Sequence, residues 1–121
     1  MAVENVTGGR LAAYAEIMDA ASKVMAHHFP HVPNLGDVTR IDWDAVREEF
    51  TPTIISAGFP CQGISNAGRR KGLADERSGI WRNVCEGVGV VRPRYVFLEN
   101  VAAIRSRGLD QVVQDLAAIG Y

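Results

Sequence analysis

The chain has 121 residues, 22% of them charged and 47% apolar, with a net charge of −1 and a mean hydropathy near zero. That is room for one domain at most, with the composition of a soluble folded chain rather than a disordered one. No apolar run approaches the ~20 residues of a membrane helix, and the start Met1-Ala2-Val3-Glu4-Asn5 lacks the basic and then apolar regions of a signal peptide. A cytosolic location is expected. The two cysteines, Cys61 and Cys85, form no CxxC pair, so neither a zinc site nor a disulfide framework is indicated.

In chain order, Met1 to Thr7 reads as the tail of a helix stopped by Gly8-Gly9. Leu11 to Ala15 is a short apolar run expected to be a buried strand, with Glu16 at its carboxyl end. Asp19 is expected to cap a helix from Ala20 to His28, with Ala21, Val24, Met25 and His28 on its apolar side. His27, His28 and His31 read as helix-end residues, not a metal cluster, because neighbours on a helix diverge and Pro30 intervenes. Asn34 to Val38 reads as a short strand or strand end that presents Asp37. Asp42-Trp43-Asp44 opens a helix through Phe50, with acids in its first turn as the helix dipole prefers.

Thr53 to Ala57 is the most strand-like run, and it leads directly into Gly58-Phe59-Pro60-Cys61-Gln62 and the loop 66–82. Ser78 is a candidate cap for a helix from Gly79 to about Val91, whose apolar side holds Ile80, Trp81, Val84, Val88 and Val91. Arg92-Pro93-Arg94 breaks it. Tyr95 to Leu98 is a second apolar strand, ending in Glu99-Asn100. A last helix, Leu109 to Ala118, carries Val112, Val113, Leu116 and Ala117 on its apolar face and stops at Gly120.

Strands alternating with helices imply parallel strands joined by helical crossovers, an α/β doubly wound sheet with helices on both faces. Ligands of such sheets bind at the carboxyl ends of the strands. Here those ends carry Glu16, Asp37, Cys61 and Glu99, expected on one rim. Charge is divided along the chain: residues 1–60 carry a net −4 and residues 61–121 a net +3. The segment 66–82 holds Arg69, Arg70, Lys71, Arg77 and Arg82. A positive loop beside a cysteine suits an anionic substrate, though from charge alone a solvated basic loop is the better reading. Taken singly, Cys61 is as readily a small buried hydrophobe as a nucleophile, and Glu16 and Asp37 read as ordinary strand-end or cap residues. Glu99 after four apolar residues is harder to dismiss, because burying a carboxylate is costly. Cys85, inside a helix, reads as structural.

Together these segments resemble a known family. Gly58-Phe59-Pro60-Cys61-Gln62-Gly63-Ile64-Ser65, continued by Gly68-Arg69-Arg70-Lys71-Gly72-Leu73, resembles the catalytic motif of DNA (cytosine-5) methyltransferases. Phe97-Leu98-Glu99-Asn100-Val101 is similar to that family's Glu-Asn-Val motif. Ala15-Glu16-Ile17-Met18-Asp19 and Leu35-Gly36-Asp37-Val38 are similar to its two adenosine-binding motifs. Leu116 to Tyr121 matches the helix end that leads to the next strand. The likeness covers nearly the whole chain, with four motifs in order.

The resemblance implies a Rossmann-like methyltransferase fold, S-adenosylmethionine as methyl donor, and double-stranded DNA as substrate in a prokaryotic or phage-infected cell. Carbon 5 of cytosine is a poor nucleophile until a thiolate adds at carbon 6. That addition needs an activated thiol and a carboxyl group on one ring, the roles implied for Cys61 and Glu99. Glu99 then has to hold or share a proton, which dry surroundings favour. The target nucleotide has to be flipped out of its duplex. Gln62, Ser65, Arg69, Arg70, Lys71 and Arg77 are the candidate DNA contacts. The family reading makes Glu16 the acceptor for the ribose hydroxyls and Asp37 the acceptor for the adenine amino group. Ile17 and Val38 would flank the adenine ring, and Pro60 would shape the pocket near the methyl group.

The family's opening Phe-x-Gly-x-Gly-Gly motif is not found in the sequence, nor are its later arginine-bearing motif and target recognition domain. Residues 1–121 are therefore expected to be a partial catalytic domain, truncated at both ends and without the first, central strand of the sheet. Alone it is expected to be inactive, with a second chain as a candidate source of the missing motifs. The alternatives are a cytosine-5 methyltransferase acting on RNA, and a non-catalytic remnant or half of a split methyltransferase.

Overall fold

The computed structural model describes residues 2–59, 76–100, 102 and 104–121, with only the backbone of 2, 76–79 and 107. Through these residues run α1 (Ala2–Thr7), α2 (Asp19–His28), a 3-10 turn (Val38–Arg40), α3 (Trp43–Phe50), β1 (Ile54–Gly58), α4 (Glu76–Val91), β2 (Tyr95–Glu99), α5 (Ile104–Arg107) and α6 (Leu109–Ala118). β1 and β2 pair in parallel, in the register Ile54 with Tyr95 through Gly58 with Glu99. Parallel neighbours need a crossover, and α4 supplies it.

Local chemistry accounts for most element ends. Gly8, at φ +71°, closes α1, and its N–H reaches the Glu4 carbonyl at 2.8 Å. The Asp42 carboxylate accepts from the Ala45 N–H at 3.1 Å and caps α3. Gly120, at φ +90°, follows α6. Other ends differ from expectation. Asp19 is the first residue of α2, not its cap. Met18 holds the cap position without a side-chain bond, and Asp19 instead pairs with Lys23 one turn on, at 2.6 Å. Ser78 lies inside α4, whose described part begins at Glu76.

The period-2 geometry of β2 divides its residues between two environments. Ala57 and Leu98 face a core formed by Phe59, Trp81, Val84 and Val112. On the other side Tyr95 and Phe97 remain 48% and 47% exposed. Trp81 anchors the core: its ring lies 5.0 Å from that of Phe59, and its indole N–H donates to the Asp115 carboxylate at 2.7 Å. Val88 and Val91 of α4 are also buried, as the helical periodicity of the sequence required. α3 packs on α4 where Gly87 lets the Trp43 indole approach: a Cβ at position 87 would stand 2.6 Å from it.

The far end of α6 is tied back to the turn between α4 and β2. Tyr121 Oη donates to the Pro93 carbonyl at 2.5 Å, Arg92 lies over the Tyr121 ring, and the Arg92 guanidinium donates to the Ile119 carbonyl. On α6 Val112 is buried as expected, but Val113 is 57% exposed.

The expected buried strand at Leu11 to Ala15 is reduced to a single parallel bridge, Tyr14 to Asn34. Only two backbone bonds hold it, Tyr14 N–H to the Pro33 carbonyl at 3.1 Å and Leu35 N–H to the Tyr14 carbonyl at 2.6 Å. Among the described residues no further strand pairs with this bridge, so the ladder does not propagate. α2 likewise has no buried residue, and Val24 of its expected apolar side is 56% exposed.

Candidate active site and adenosine-binding rim

Two parts of the candidate site fall within the described residues. The first is the carboxyl end of the parallel pair. Because Gly58 and Glu99 are in register, the Glu99 side chain stands over Gly58, with one carboxylate oxygen 3.8 Å from where a Cβ at position 58 would lie. The next residue on each strand completes the link: the Asn100 side-chain amide donates to the Phe59 carbonyl at 2.7 Å. Phe59 is itself buried against Trp81, so the chain leaves β1 from a fixed point.

Glu99 is exposed, so the described residues do not supply the dry surroundings expected for a carboxyl that must hold a proton. Pro60, Cys61, Gln62, Ser65, Arg69, Arg70 and Lys71 lie outside the described residues. Arg77 falls in the first turn of α4, where only the backbone is described.

The second part is the segment around the Tyr14–Asn34 bridge. Glu16 follows the bridge on one side and Asp37 on the other. One oxygen of the Glu16 carboxylate accepts from the Met18 N–H at 2.8 Å, which turns the chain into α2. Asp37 caps the 3-10 turn. Its Oδ1 accepts from the Thr39 N–H at 2.9 Å and the Thr39 hydroxyl at 2.8 Å, and these two bonds hold its carboxyl below the usual range. Gly36, at φ +74°, makes the bend that precedes Asp37.

Val38 packs against the Phe59–Trp81 core, so this turn abuts the end of β1. Ile17, in contrast, is 73% exposed. The structure thus gathers Glu16, Ile17, Asp37 and Val38 around one bridge. It brings Glu99 to the strand end that leads to Cys61.

Sequence reasoning missed two residues here, Asn34 and Asn100. Both act through side-chain bonds to residues distant in sequence, Asn34 to Glu16 and Asn100 to Phe59. Asn100 was visible inside the Glu-Asn-Val motif and Asn34 just before Leu35-Gly36-Asp37-Val38, but the partner of each was not. Cys85 agrees with its structural reading: it packs against the core, and burial, then the nearby Asp115 carboxylate, pushes its thiol pKa up.

A parallel β-α-β crossover that ends in Glu99 is an α/β framework, and comparison with known proteins gives its family. The family model for C-5 cytosine-specific DNA methylase matches residues 2–121, and the chain belongs to that family. Its alternating elements and parallel pair are part of the S-adenosylmethionine-dependent methyltransferase fold.

The type II methyltransferase M.HpaII of Haemophilus parainfluenzae is 35% identical over 107 residues, covering 88% of this chain and 29% of the relative. M.CviJI of Paramecium bursaria Chlorella virus IL3A is 34% identical over 110 residues, with 90% and 29% covered. A protein of Escherichia phage P1 named as a DNA N-6-adenine-methyltransferase is 36% identical over 109 residues, with 82% of this chain and 14% of that protein covered. The chain spans less than a third of the length of each of these relatives. Among the described residues no helix is long and apolar enough to cross a membrane.

Proposed function

We propose that residues 1–121 are the part of a DNA cytosine-5 methyltransferase that carries the reacting thiol, the base-holding carboxyl and the adenosine-binding rim. The observation that carries this reading is the pairing of β1 with β2. It sets Glu99 over Gly58, with Asn100 clamping the carbonyl of Phe59. Cys61 follows two residues later, and two residues of chain reach no farther than about 7 Å. A thiol and a carboxyl tethered this closely can meet the two edges of one pyrimidine ring.

The Cys61 thiolate adds to carbon 6 of the flipped cytosine while Glu99 holds the proton at ring nitrogen 3, and the resulting enamine makes carbon 5 nucleophilic. After methylation, loss of the carbon 5 proton expels the thiolate and restores the ring. The exocyclic amine that an adenine-specific enzyme methylates needs no thiol adduct, so Cys61 favours cytosine over the base in the phage P1 relative's name. Gln62, Ser65, Arg69, Arg70, Lys71 and Arg77 would hold the DNA backbone around the extruded nucleotide.

The residues of the rim fit an adenosine group. The Glu16 carboxylate has one oxygen engaged by Met18 and one left to accept from ribose hydroxyls, and Asp37 is likewise bonded at one oxygen. Ile17 and Val38 offer apolar surface beside them, with Pro60 toward the methyl end. S-adenosylmethionine, when bound, supplies an electrophilic methyl group. The methionine portion of that cofactor would need residues supplied by a second chain or a further segment, so the isolated chain should transfer methyl groups undetectably.

The test uses the chain complemented with a segment bearing the Phe-x-Gly-x-Gly-Gly motif. Duplex DNA containing 5-fluorocytosine should trap a covalent adduct, because fluorine blocks the final elimination. Cys61→Ser should abolish the adduct. An adduct that persists in Cys61→Ser, or that forms with transfer RNA and not with duplex DNA, would overturn the assignment.

A further inference from the structure

We propose that Asn34 is a positioning residue that holds Glu16 and Asp37 in the relation an adenosine group requires; this rests on the cofactor reading above. Backbone pairing between the two segments stops after Leu35 N–H meets the Tyr14 carbonyl. Beyond that point the Asn34 side chain takes over. Its Oδ1 accepts from the Glu16 N–H at 3.0 Å and from the Gly36 N–H at 3.0 Å. Its Nδ2 donates to the Glu16 carbonyl at 2.9 Å and to Ser22 Oγ at 3.2 Å. The Ser22 hydroxyl donates to that same Glu16 carbonyl at 3.1 Å.

One amide therefore satisfies both backbone groups of Glu16, and its contact at Gly36 is to the residue that bends the chain into Asp37. The arrangement admits one amide orientation, since a flip would set Nδ2 against two N–H donors. Neither carboxylate is touched by Asn34; both are carried by the backbone it clamps. An adenosine that meets Glu16 through its ribose and Asp37 through its amino group measures the separation of those backbones.

The test is nucleoside binding to the chain, followed by amide chemical shifts of residues 14–18 and 34–39. Adenosine is compared with 2′-deoxyadenosine, which lacks one ribose donor, and with inosine, which lacks the amino group. The wild-type chain should prefer adenosine over each by about tenfold, one charged hydrogen bond's discrimination. Asn34→Ala should bring both ratios to about two or less, and the isosteric Asn34→Asp, which cannot donate to the Glu16 carbonyl, should lower both in the same direction. It decides the matter if the alanine variant does not fold.

A merely structural asparagine would weaken all three nucleosides alike and leave the ratios standing. Preserved ratios in a folded variant overturn the role of Asn34 alone. A wild-type chain without preference among the three nucleosides overturns the cofactor reading, and this inference with it.

Discussion

The Asn100 side chain donates to the Phe59 carbonyl at 2.7 Å, joining the residue after β2 to the residue after β1. This bond fixes the Phe59 carbonyl, two residues before Cys61 in the sequence. The bond is partly shielded from water, so Asn100→Ala should destabilise the chain by about 1 kcal/mol. Asn100→Asp should cost more, because a carboxylate cannot donate and would face the carbonyl oxygen. Urea unfolding curves measure both. An aspartate variant as stable as wild type would show that the bond does not form.

Gly87 makes room for Trp43. Alanine is the better helix former by about 1 kcal/mol, yet its Cβ would fall 2.6 Å from the Trp43 indole, with further ring atoms at 2.7 and 2.8 Å. Overpacking of that kind costs about 1–3 kcal/mol. Gly87→Ala should therefore lower the thermal midpoint in spite of its propensity gain. A raised midpoint would show that α3 does not pack on α4 in this way.

The acid limb of stability should report Asp37. Its carboxyl is held below the usual range by the Thr39 N–H first and the Thr39 hydroxyl second. A lowered folded pKa adds stability that is present above the unfolded value, about 3.9, and is lost as pH falls through the folded value. Thr39→Val keeps the N–H and removes the hydroxyl. The Asp37 pKa, followed by carboxyl-carbon NMR, should rise in that variant. The pH-dependent part of its stability deficit should close below about pH 4. An unmoved Asp37 titration would contradict the capping geometry.

Cys85 should alkylate slowly. Burial raises its pKa and the Asp115 carboxylate adds to the shift, so little thiolate is present near neutral pH. Iodoacetamide at pH 7.5 (about one unit below an ordinary thiol pKa) should modify it several-fold more slowly than free cysteine, read from the peptide that contains it by mass spectrometry. Asp115→Asn should speed the reaction while leaving an acceptor for the Trp81 indole. Equal rates for Cys85 and free cysteine would place the thiol outside the core.

The order of elements was legible from periodicity and punctuation, because these are local matters. Asp42 as cap, Gly8 and Gly120 as helix ends, and the buried stripe of Trp81, Val84, Val88 and Val91 each follow from a few neighbouring residues. The motifs around Glu16, Asp37 and Glu99 stood out through the family resemblance, since singly Glu16 and Asp37 read as ordinary strand-end or cap residues. Errors arose where a local signal needed distant support. Leu11 to Ala15 looks like a strand but finds only one bridging residue among the described residues, and the apolar side of α2 buries no residue, with Val24 56% exposed.

By itself the sequence determined most of the helices, the two strands β1 and β2 with the helical crossover between them, and that Glu99 ends the second strand. Tertiary structure alone decided which face of β2 is covered, leaving Tyr95 and Phe97 half exposed, and that Trp43 lies against Gly87. It also decided that Asn34 and Asn100 clamp the segments beside the recognised acids. The physical reason is register. Backbone preference and periodicity act over a few residues, whereas Asn100 and Phe59 are 41 residues apart and meet only because Gly58 pairs with Glu99.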